Sequence, residues 1–517
     1  MDDKVNFFRF SRILSEKSAN FAVEIKTIIF MKKLFLMMTM ASAALMAEAG
    51  GLMTNTNYHI AFDRMFARGA THDIDAAYSN PAGLAWGHEG WQLSLNFQKP
   101  WQNRDIEANV PNYLAYPALG YSGENINQKF NGKASAPIVP ALFASYKKDR
   151  WVVSTMIGIV GSGGFVQYDE GIPMFNLMAM GKIFEKTATL PTGPITPDKY
   201  GIDSEVKGKQ YIYGGQVNFA YKVFDCLSAA VGIRANYYDG YNRGYVTATT
   251  LPTLGSQQLM DLQLDVTQRG WGIAPIVSLD FHKGPLTLAA RYEFRTKINT
   301  TNDTQSLSVT MSGQKTDIKA MAEQYGNAAT LAGLSTSMGE AMASKIKDFM
   351  PDEEVRYDMP SLLVLAAQYE ITPKLRAAAE YHFFDDKSAI MANNRQEKLE
   401  HGTHEMLAGL EYDINKKVTV SCGGQRTDYG LSDDYQAHTS FACDSYSLGC
   451  GAAFNLTEQL RLNVSYFCTL YNDYKCEYNA KSVGGQMIGG YLNTAYSGSD
   501  TFSRTNHVIG VGIDYKF

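Results

Sequence analysis

Long apolar runs and charged side chains are both scarce in this chain of 517 residues. No run of 18 apolar residues occurs after position 50, which excludes a protein that crosses a membrane with helices. Charged residues make up only 19% of the chain and the formal net charge is −5, so a general nucleic-acid binder is not expected. Neither absence excludes a membrane β-barrel, because the apolar signal of each barrel strand is short and alternating.

Cysteine is also sparse, and its six positions lack the spacing of a metal site. Cys422, Cys450 and Cys468 fall on the apolar side of alternating stretches, where we predict that they act as small hydrophobic residues facing lipid. Cys443 and Cys476 lie near the same end of two consecutive predicted strands, which leaves a disulfide between them open. We expect neither a metal nor a cofactor.

A catalytic arrangement is missing as well. The histidines in the second half of the chain have no Ser or Asp partner at a motif-like spacing, and they are His382, His401, His404, His438 and His507. Serines in the predicted strands read as ordinary polar groups. The sequence therefore predicts a protein that is not an enzyme.

The chain does contain a secretion signal. Met31-Lys32-Lys33 gives a basic start, residues 34–45 are apolar, and Ala47-Glu48-Ala49 matches a small-x-small cleavage site. We interpret residues 1–30 as an extension upstream of the true start, with a long, ragged basic region as the alternative. The predicted divisions are the upstream extension 1–30, the signal peptide 31–49, an N-terminal segment 50–89 and a strand-rich region 90–517.

Period-two alternation of apolar and polar residues dominates the strand-rich region. Trp91, Leu93, Leu95 and Phe97 alternate with polar residues, and the same pattern recurs up to the terminal Phe517. About fourteen strands are predicted, which is an even number, as in bacterial membrane barrels. They are 91–98, 138–147, 151–166, 210–223, 227–248, 258–282, 285–298, 361–371, 374–386, 403–413, 416–428, 438–455, 459–475 and 504–517.

The connections between these strands alternate between short and long. Short turns at one end and long loops at the other are typical of outer-membrane barrels, whose long loops face the outside of the cell. The predicted long loops are 99–137, 167–209, 299–360, 387–402, 429–437 and 476–503. Within the third of these, residues 316–350 show helical periodicity. The sequence thus predicts an all-β, antiparallel transmembrane barrel.

A barrel of fourteen strands is too wide for its own side chains to fill, so its lumen must hold water or a plug. Residues 50–89 are available as a plug, because they lack clean alternation and carry polar residues that suit a lumen. Within them, Asn80, Pro81, Ala82 and Gly83 favour a compact turn, since Pro cannot continue a sheet ladder.

The segment Phe66–Ala85 resembles the N-terminal hatch of the FadL/TodX family of outer-membrane transporters for long-chain fatty acids and other hydrophobic compounds, with Asn80-Pro81-Ala82 matching its Asn-Pro-Ala motif. The resemblance implies a hatch inside the lumen, resting against a kinked third strand with a lateral opening. Here the third predicted strand contains Gly158, Gly161, Gly163 and Gly164, and glycines inside a strand mark a bulge or a break in pairing. A tight bend below the following loop is the alternative.

Three groups of residues are candidate ligand contacts. By resemblance, the free N-terminus reaches the lumenal pocket, which assigns Leu52 and Met53 as gate residues. An apolar stretch in the second long loop either packs against other loops or accepts apolar ligands, and it contains Met174, Phe175, Leu177 and Met178. Arginines on the polar phase of their strands would face a ligand carboxylate or form structural ion pairs, and these are Arg234, Arg291 and Arg295.

The function expected from these features is passive uptake of hydrophobic small molecules by a monomer in the bacterial outer membrane, in contact with membrane lipid and lipopolysaccharide. Loop capture, a lumenal pocket and lateral exit would be its steps. A general diffusion porin and a receptor for haem or another ligand are the alternatives.

Overall fold

The computed structural model describes residues 58–115, 120–135, 138–187, 193–311, 313–338, 346–478 and 497–517. The upstream extension, the signal peptide and the candidate gate residues Leu52 and Met53 lie outside these ranges. Within them, no helix is both long and apolar enough to cross a membrane.

A single sheet contains all nineteen strands of the described residues. The strands are β1 (Gly90–Tyr113), β2 (Glu124–Ser135), β3 (Val139–Lys148), β4 (Trp151–Tyr168), β5 (Tyr200–Phe224), β6 (Leu227–Thr250), β7 (Gln258–Lys283), β8 (Leu286–Glu293), β9 (Asn299–Met311), β10 (Gln314–Asp317), β11 (Glu354–Arg356), β12 (Leu362–Thr372), β13 (Leu375–Phe384), β14 (Thr403–Asn415), β15 (Val418–Asp428), β16 (Ser445–Asn455), β17 (Leu460–Tyr471), β18 (Tyr474–Tyr478) and β19 (Gly498–Lys516).

Fourteen of these strands form a closed antiparallel barrel, and they are β1, β3 to β8, β12 to β17 and β19. The barrel closes between the first and last strands, whose ladder runs from Gln92↔Lys516 to Asn109↔Ser499. The prediction of a fourteen-strand transmembrane barrel is confirmed.

Short helices accompany the barrel. The α-helices are α1 (Ile60–Met65), α2 (Ala76–Ser79), α3 (Pro173–Thr187), α4 (Ile318–Tyr325) and α5 (Asn327–Met338). The 3₁₀ helices are Pro81–Trp86, Pro197–Lys199, Pro252–Leu254, Asp386–Ser388 and Ala392–Lys398. The helix predicted over 316–350 is thus α4 and α5, which are separated at Gly326, where φ is 82°.

The two faces of each strand differ as a membrane barrel requires. On β1, Trp91 and Phe97 are exposed on the outside, whereas Ser94 and Asn96 are fully buried on the inside. Cys422 and Cys450 also lie exposed on the outer face. Apolar side chains therefore face outward over the part of the wall nearest the short turns, which we call the lower part and where lipid would cover them.

The predicted long loops contain more regular structure than the sequence indicated. Loop 99–137 consists largely of β1 and β2, loop 167–209 contains α3 and the start of β5, and loop 299–360 contains β9 to β11. Polarity reverses in these upper strand ends: Glu107 and Asn109 point outward and are exposed, whereas Ile106 and Ala108 point inward and are buried. A search for outward apolar residues misses strands of this kind.

The bounds of several other strands also differ from the predicted ones. The strand predicted at 438–455 begins only at Ser445, the one predicted at 459–475 is divided into β17 and β18, and the last strand begins earlier, at Gly498.

The disulfide left open between Cys443 and Cys476 is not formed in the structure, where both are free thiols. Burial raises the pKa of the Cys443 thiol to about 11, which keeps it protonated at neutral pH.

Candidate functional site: the barrel lumen and a gap in its wall

Residues 58–89, the N-terminal segment, lie inside the barrel. The segment begins with α1, where His59 Nδ1 accepts a hydrogen bond from the Ala61 amide at 3.1 Å. Lumen-facing side chains of the wall bind this helix: Asn96 Oδ1 accepts from the Ile60 amide at 3.1 Å, and Ser421 Oγ accepts from Arg64 Nη1 at 2.6 Å. The helix is therefore fixed to β1 and β15 by contacts within the barrel.

The backbone of α1 rests directly on glycines of the wall. We call Gly409, Gly423 and Gly449 the glycine seat, because a Cβ atom at any of them would overlap a backbone oxygen of α1. The oxygens concerned are those of Met65, at Gly409 and Gly423, and of Asp63, at Gly449. These strands carry glycine because only the absence of a side chain allows so close an approach of two backbones.

Buried ion pairs also hold the N-terminal segment. Arg64 pairs with Glu411 of β14, and His59 Nε2 lies 3.1 Å from Asp514 Oδ1 of β19. Within the segment itself, a carboxylate oxygen of Asp75 lies 2.8 Å from Arg68 Nη2. Removing one member of such a buried pair leaves an uncompensated charge, which is strongly destabilising.

The motif Asn80–Gly83 is bound by β6 and β7. Asn80 Nδ2 donates to Asp280 Oδ2 at 2.9 Å, the Ala82 amide donates to Ser278 Oγ at 3.1 Å, and the Ala82 carbonyl accepts from Ser228 Oγ at 2.7 Å. Pro81 begins a 3₁₀ helix, where its missing N–H is no loss. A Cβ atom at position 83 would lie 2.5 Å from the Thr71 carbonyl oxygen, so the turn requires glycine.

The wall is interrupted beside β4. The β3–β4 ladder runs from Lys148↔Trp151 only to Leu142↔Ile157, and β4 next pairs on that side with β2, at Lys133↔Gln167 and Gly132↔Tyr168. Among the described residues, this edge of β4 thus has no ladder partner from Gly158 to Gly163. We call this stretch the gap.

The glycines predicted to break the strand lie in this gap or directly after it. Gly158, Gly161 and Gly163 belong to the gap and Gly164 follows it, and the other edge of β4 shifts register against β5 at Ile159/Gly161 and Ser162/Gly164. Gly164 has a φ of 71°, which side-chain-bearing residues rarely adopt. On the facing strand, Pro140 has no N–H to donate to a ladder. Both edges are therefore poorly suited to pairing.

Both the motif and the helix before it approach β4. The hydrogen bonds of Asn80–Gly83 are with β6 and β7, but the 3₁₀ helix that begins at Pro81 also packs against β4. The preceding helix α2 packs against β3 and β4. The Ala77 carbonyl accepts from Asn218 Nδ2 at 2.9 Å, and the same amide donates to Ser154 Oγ of β4 at 3.0 Å.

Two of the three predicted arginines contact the N-terminal segment. The guanidinium groups of Arg234 and Arg291 lie 5.4 and 5.2 Å from the centre of the Tyr78 ring, and both arginines pair with Glu293. Arg295 lies apart from them and contacts Asp358, with 3.9 Å between its Nε and a carboxylate oxygen. The structure therefore brings Arg234 and Arg291 together but leaves Arg295 among the loops.

The predicted apolar loop residues belong to α3, which packs against the upper, apolar part of the lumen. Leu177 and Met178 are buried in separate clusters of strand side chains, whereas Met174 and Phe175 are half-buried. His438 Nδ1 accepts a hydrogen bond from the Met174 amide at 2.9 Å, which satisfies a free amide in the first turn of the helix.

Several residues that bind the N-terminal segment were missed from the sequence. Glu380 Oε2 accepts from the Gly69 amide at 2.7 Å, and His382 lies between Glu380 and Glu405, with its Nδ1 2.8 Å from the latter. Their only sequence signal is a polar residue on the inner phase of a strand, which lumen residues share in general. In the described part of the chain, His, Cys, Asp and Glu side chains form no group of three that could hold a metal.

Comparison with known proteins finds solved structures with the same architecture. No protein-family model and no curated protein matches the sequence. Among solved structures, a FadL homologue from Pseudomonas aeruginosa superposes with a TM-score of 0.62 at 13% identity, covering 90% of this chain and all of the other. The toluene transporter TodX from P. putida gives 0.51 at 12% identity, covering 86% and 94%. The chain has the FadL and TodX fold.

Proposed function

We propose that this protein is an outer-membrane transporter that moves hydrophobic small molecules, of the long-chain fatty acid type, by diffusion. The observation that carries the proposal is the gap beside β4, from Gly158 to Gly163, in a barrel whose lumen holds its own N-terminal segment. The proteins that share the fold include the toluene transporter TodX, which supports a hydrophobic small molecule as the cargo.

A lateral route has a clear physical advantage for an apolar solute. A molecule that leaves through the wall enters the hydrocarbon of the bilayer without crossing water. Keeping an alkyl chain buried is worth about 0.8 kcal/mol per CH₂ group. The outer face next to the gap is apolar, since Val153 and Val217 are both exposed there.

In this proposal the N-terminal segment acts as a hatch that blocks the direct path through the lumen. Its ion pairs with Glu411 and Asp514 and its seat on three glycines resist displacement. Arg234 and Arg291 hold Tyr78, so they are available to a ligand only where that ring moves aside. Leu52 and Met53 keep the role that the family resemblance implies for them, as gate residues at the free N-terminus.

Entry would begin among the outer elements. Half-buried Met174 and Phe175 of α3 lie beside the apolar upper lumen and are our candidates for the first contact, with Leu177 and Met178 behind them. We expect the protein to work as a monomer, in contact with lipid and lipopolysaccharide, without a cofactor or energy coupling.

The main rival, a general diffusion porin, requires a water-filled lumen. Buried groups of the N-terminal segment instead occupy hydrogen-bonding positions of the wall, as the Ile60 amide and the side chains of Arg64 and Asn80 do. Water and sugars would have to displace these contacts.

Reconstitution into lipid vesicles tests the proposal. We expect vesicles that contain the protein to remain impermeable to sugars in a swelling assay, and protein purified in mild detergent to carry apolar ligand detectable by mass spectrometry. Rapid sugar permeation without any bound apolar molecule would contradict the transporter and favour the porin.

A further inference from the structure

Six arginines are more than nine-tenths buried in the described residues, and two of them differ from the rest. Arg64, Arg68, Arg234 and Arg291 each have a carboxylate partner within ion-pair distance. The other two, Arg104 and Arg504, are 6% and 4% exposed, and within the described ranges neither lies within 4 Å of a carboxylate oxygen. Buried charge of one sign without compensation is costly, which suggests that a partner is supplied from outside the chain.

The two unpaired arginines occupy adjacent positions. Arg104 of β1 lies directly opposite Arg504 of β19 in the ladder that closes the barrel, and both side chains are on the inner face. Like charges directly opposite each other destabilise a strand pair. The pair is suited to bind an anion, because two guanidinium groups together offer several hydrogen-bond donors to one carboxylate.

Hydrogen-bond donors remain available in this pair. Arg104 Nη2 donates to the Phe441 carbonyl at 2.9 Å, and Arg504 Nη2 donates to Gln102 Oε1 at 3.0 Å. Nε and Nη1 of Arg504, by contrast, are buried and have no hydrogen-bond partner within the part of the chain that the structure describes. Both guanidinium groups also lie over aromatic rings, Arg104 at 4.9 Å from the centre of Phe441 and Arg504 at 4.8 Å from that of Tyr471. The rings fix the orientation of the charges without neutralising them.

Immediately above the arginines the inner wall becomes apolar. Ile106 and Phe502, two residues along from Arg104 and Arg504, face each other across the same ladder. They belong to a buried cluster whose other members include Phe130, Tyr168, Ile172 and Phe441, with Met174 and Phe175 of α3 packed against it. The charged site thus adjoins a cluster of buried apolar side chains.

The same site adjoins the gap. Gly132 of β2 is paired with Arg104 on one side and with Tyr168 of β4 on the other, and Tyr168 lies on β4 beyond the gap. A Cβ atom at position 132 would lie 2.5 Å from both the Arg104 carbonyl oxygen and the Tyr168 ring. A single strand, β2, therefore separates the arginine pair from the part of β4 that follows the gap.

We propose that Arg104 and Arg504 form a binding site for the carboxylate of an amphiphilic monoacid, whose apolar body lies on the Ile106 and Phe502 cluster. The inference rests on the proposed function and narrows its cargo, because a neutral hydrocarbon would leave both arginines uncompensated. It also assigns the anion-binding role to residues other than Arg234 and Arg291, whose charges are shared with Glu293.

Binding of two matched probes to delipidated protein in detergent tests this site. The probes are hexadecanoate and hexadecan-1-ol, which have equal chain lengths and differ in charge. Each affinity is corrected for that probe's own partition into protein-free micelles, and comparing variants in the same detergent cancels what remains. We expect unaltered protein to prefer the acid by about tenfold or more, as charge-assisted hydrogen bonds would give. R104Q and R504Q should each reduce that ratio by about tenfold and leave affinity for the alcohol unchanged.

R426Q is the matched control, since Arg426 is exposed on the outer face, and its ratio should equal that of the unaltered protein. Heat-modifiable migration on gels checks that each barrel is folded, and the ratio in unaltered protein tests the site even where a variant does not fold. Equal affinity for acid and alcohol overturns the inference but leaves the transporter standing. Binding of neither probe contradicts both. If acetate competes as strongly as hexadecanoate, the site binds small anions in general, and the proposal of an amphiphilic ligand is wrong.

Discussion

Glycines occur in two regions of the barrel wall and have different consequences there. In the glycine seat, Gly409, Gly423 and Gly449 lie in strands whose ladders are continuous, and they admit the backbone of α1. In the gap, Gly158 and its neighbours belong to a strand edge that has lost its ladder. The same residue type thus allows close packing in one place and accompanies an interrupted ladder in the other.

The difference is visible in what each glycine would meet as a larger residue. At Gly423 a Cβ atom would overlap backbone, which cannot move without shifting the whole helix. At Gly158 it would lie 2.8 Å from the flexible end of Met156, which can turn away, and 3.5 Å from Ala141 Cβ across the gap. We therefore expect larger residues in the glycine seat to lower the stability of the protein, and larger residues in the gap to alter transport.

The largest expected effect on stability comes from Gly423→Val. The side chain would displace α1 from its seat, at a cost of about 3 kcal/mol in the free energy of unfolding, since overpacking forces backbone shifts. Urea titration in lipid vesicles, followed by tryptophan fluorescence, measures this cost. Gly215→Val is the control, because Gly215 is exposed and a Cβ atom there meets nothing within 4 Å; equal stability of the two variants would refute the seat.

A smaller loss is expected from Asn80→Ala. The change removes the donor to Asp280 Oδ2 at 2.9 Å and leaves that buried carboxylate less satisfied, at a cost of about 1–2 kcal/mol. The same urea titration, combined with limited proteolysis of the N-terminal segment, detects it. Asn109→Ala on the exposed face of β1 should change neither result, and a matching loss there would show that the Asn80 contact is unimportant.

Gly158→Val should have the smallest effect on stability, within about 1 kcal/mol, since valine favours a strand and Met156 can make room. Its effect should appear in transport, because the valine side chain extends into the gap toward Ala141. Uptake of a labelled apolar solute by cells that express the variant measures it. Unchanged uptake by a correctly folded Gly158→Val protein would count against the gap as an exit.

Much of the barrel could be predicted from the sequence, because outward apolar residues alternate wherever lipid covers the wall. The upper strand ends could not, since residues such as Glu107 face outward there and Ile106 faces inward. Arg104 lies in a part of β1 that was predicted to be loop, so its position opposite Arg504 could not be predicted from the sequence.

The candidate site was predictable only in part. The motif around Asn80 and the glycines of β4 carry local signals, and both were found. Their partners carry none: Asp280 and Ser278 look like any polar residue of a lumen, and only the folded barrel brings them to Asn80 and Ala82. The expected contact between the motif and the β4 glycines depended on such long-range geometry.

Closing the gap with a disulfide tests lateral exit most directly. Cysteines at Ala141 and Gly158 would have Cβ atoms about 3.5 Å apart, within the range for a disulfide. A control pair at Ala379 and Ala408, opposite each other in the continuous β13–β14 ladder, would cross-link wall that is already closed. We predict that oxidised A141C/G158C protein loses uptake, that reductant restores it, and that A379C/A408C behaves as the unaltered protein. Full uptake through a barrel cross-linked at 141 and 158 would contradict the lateral route.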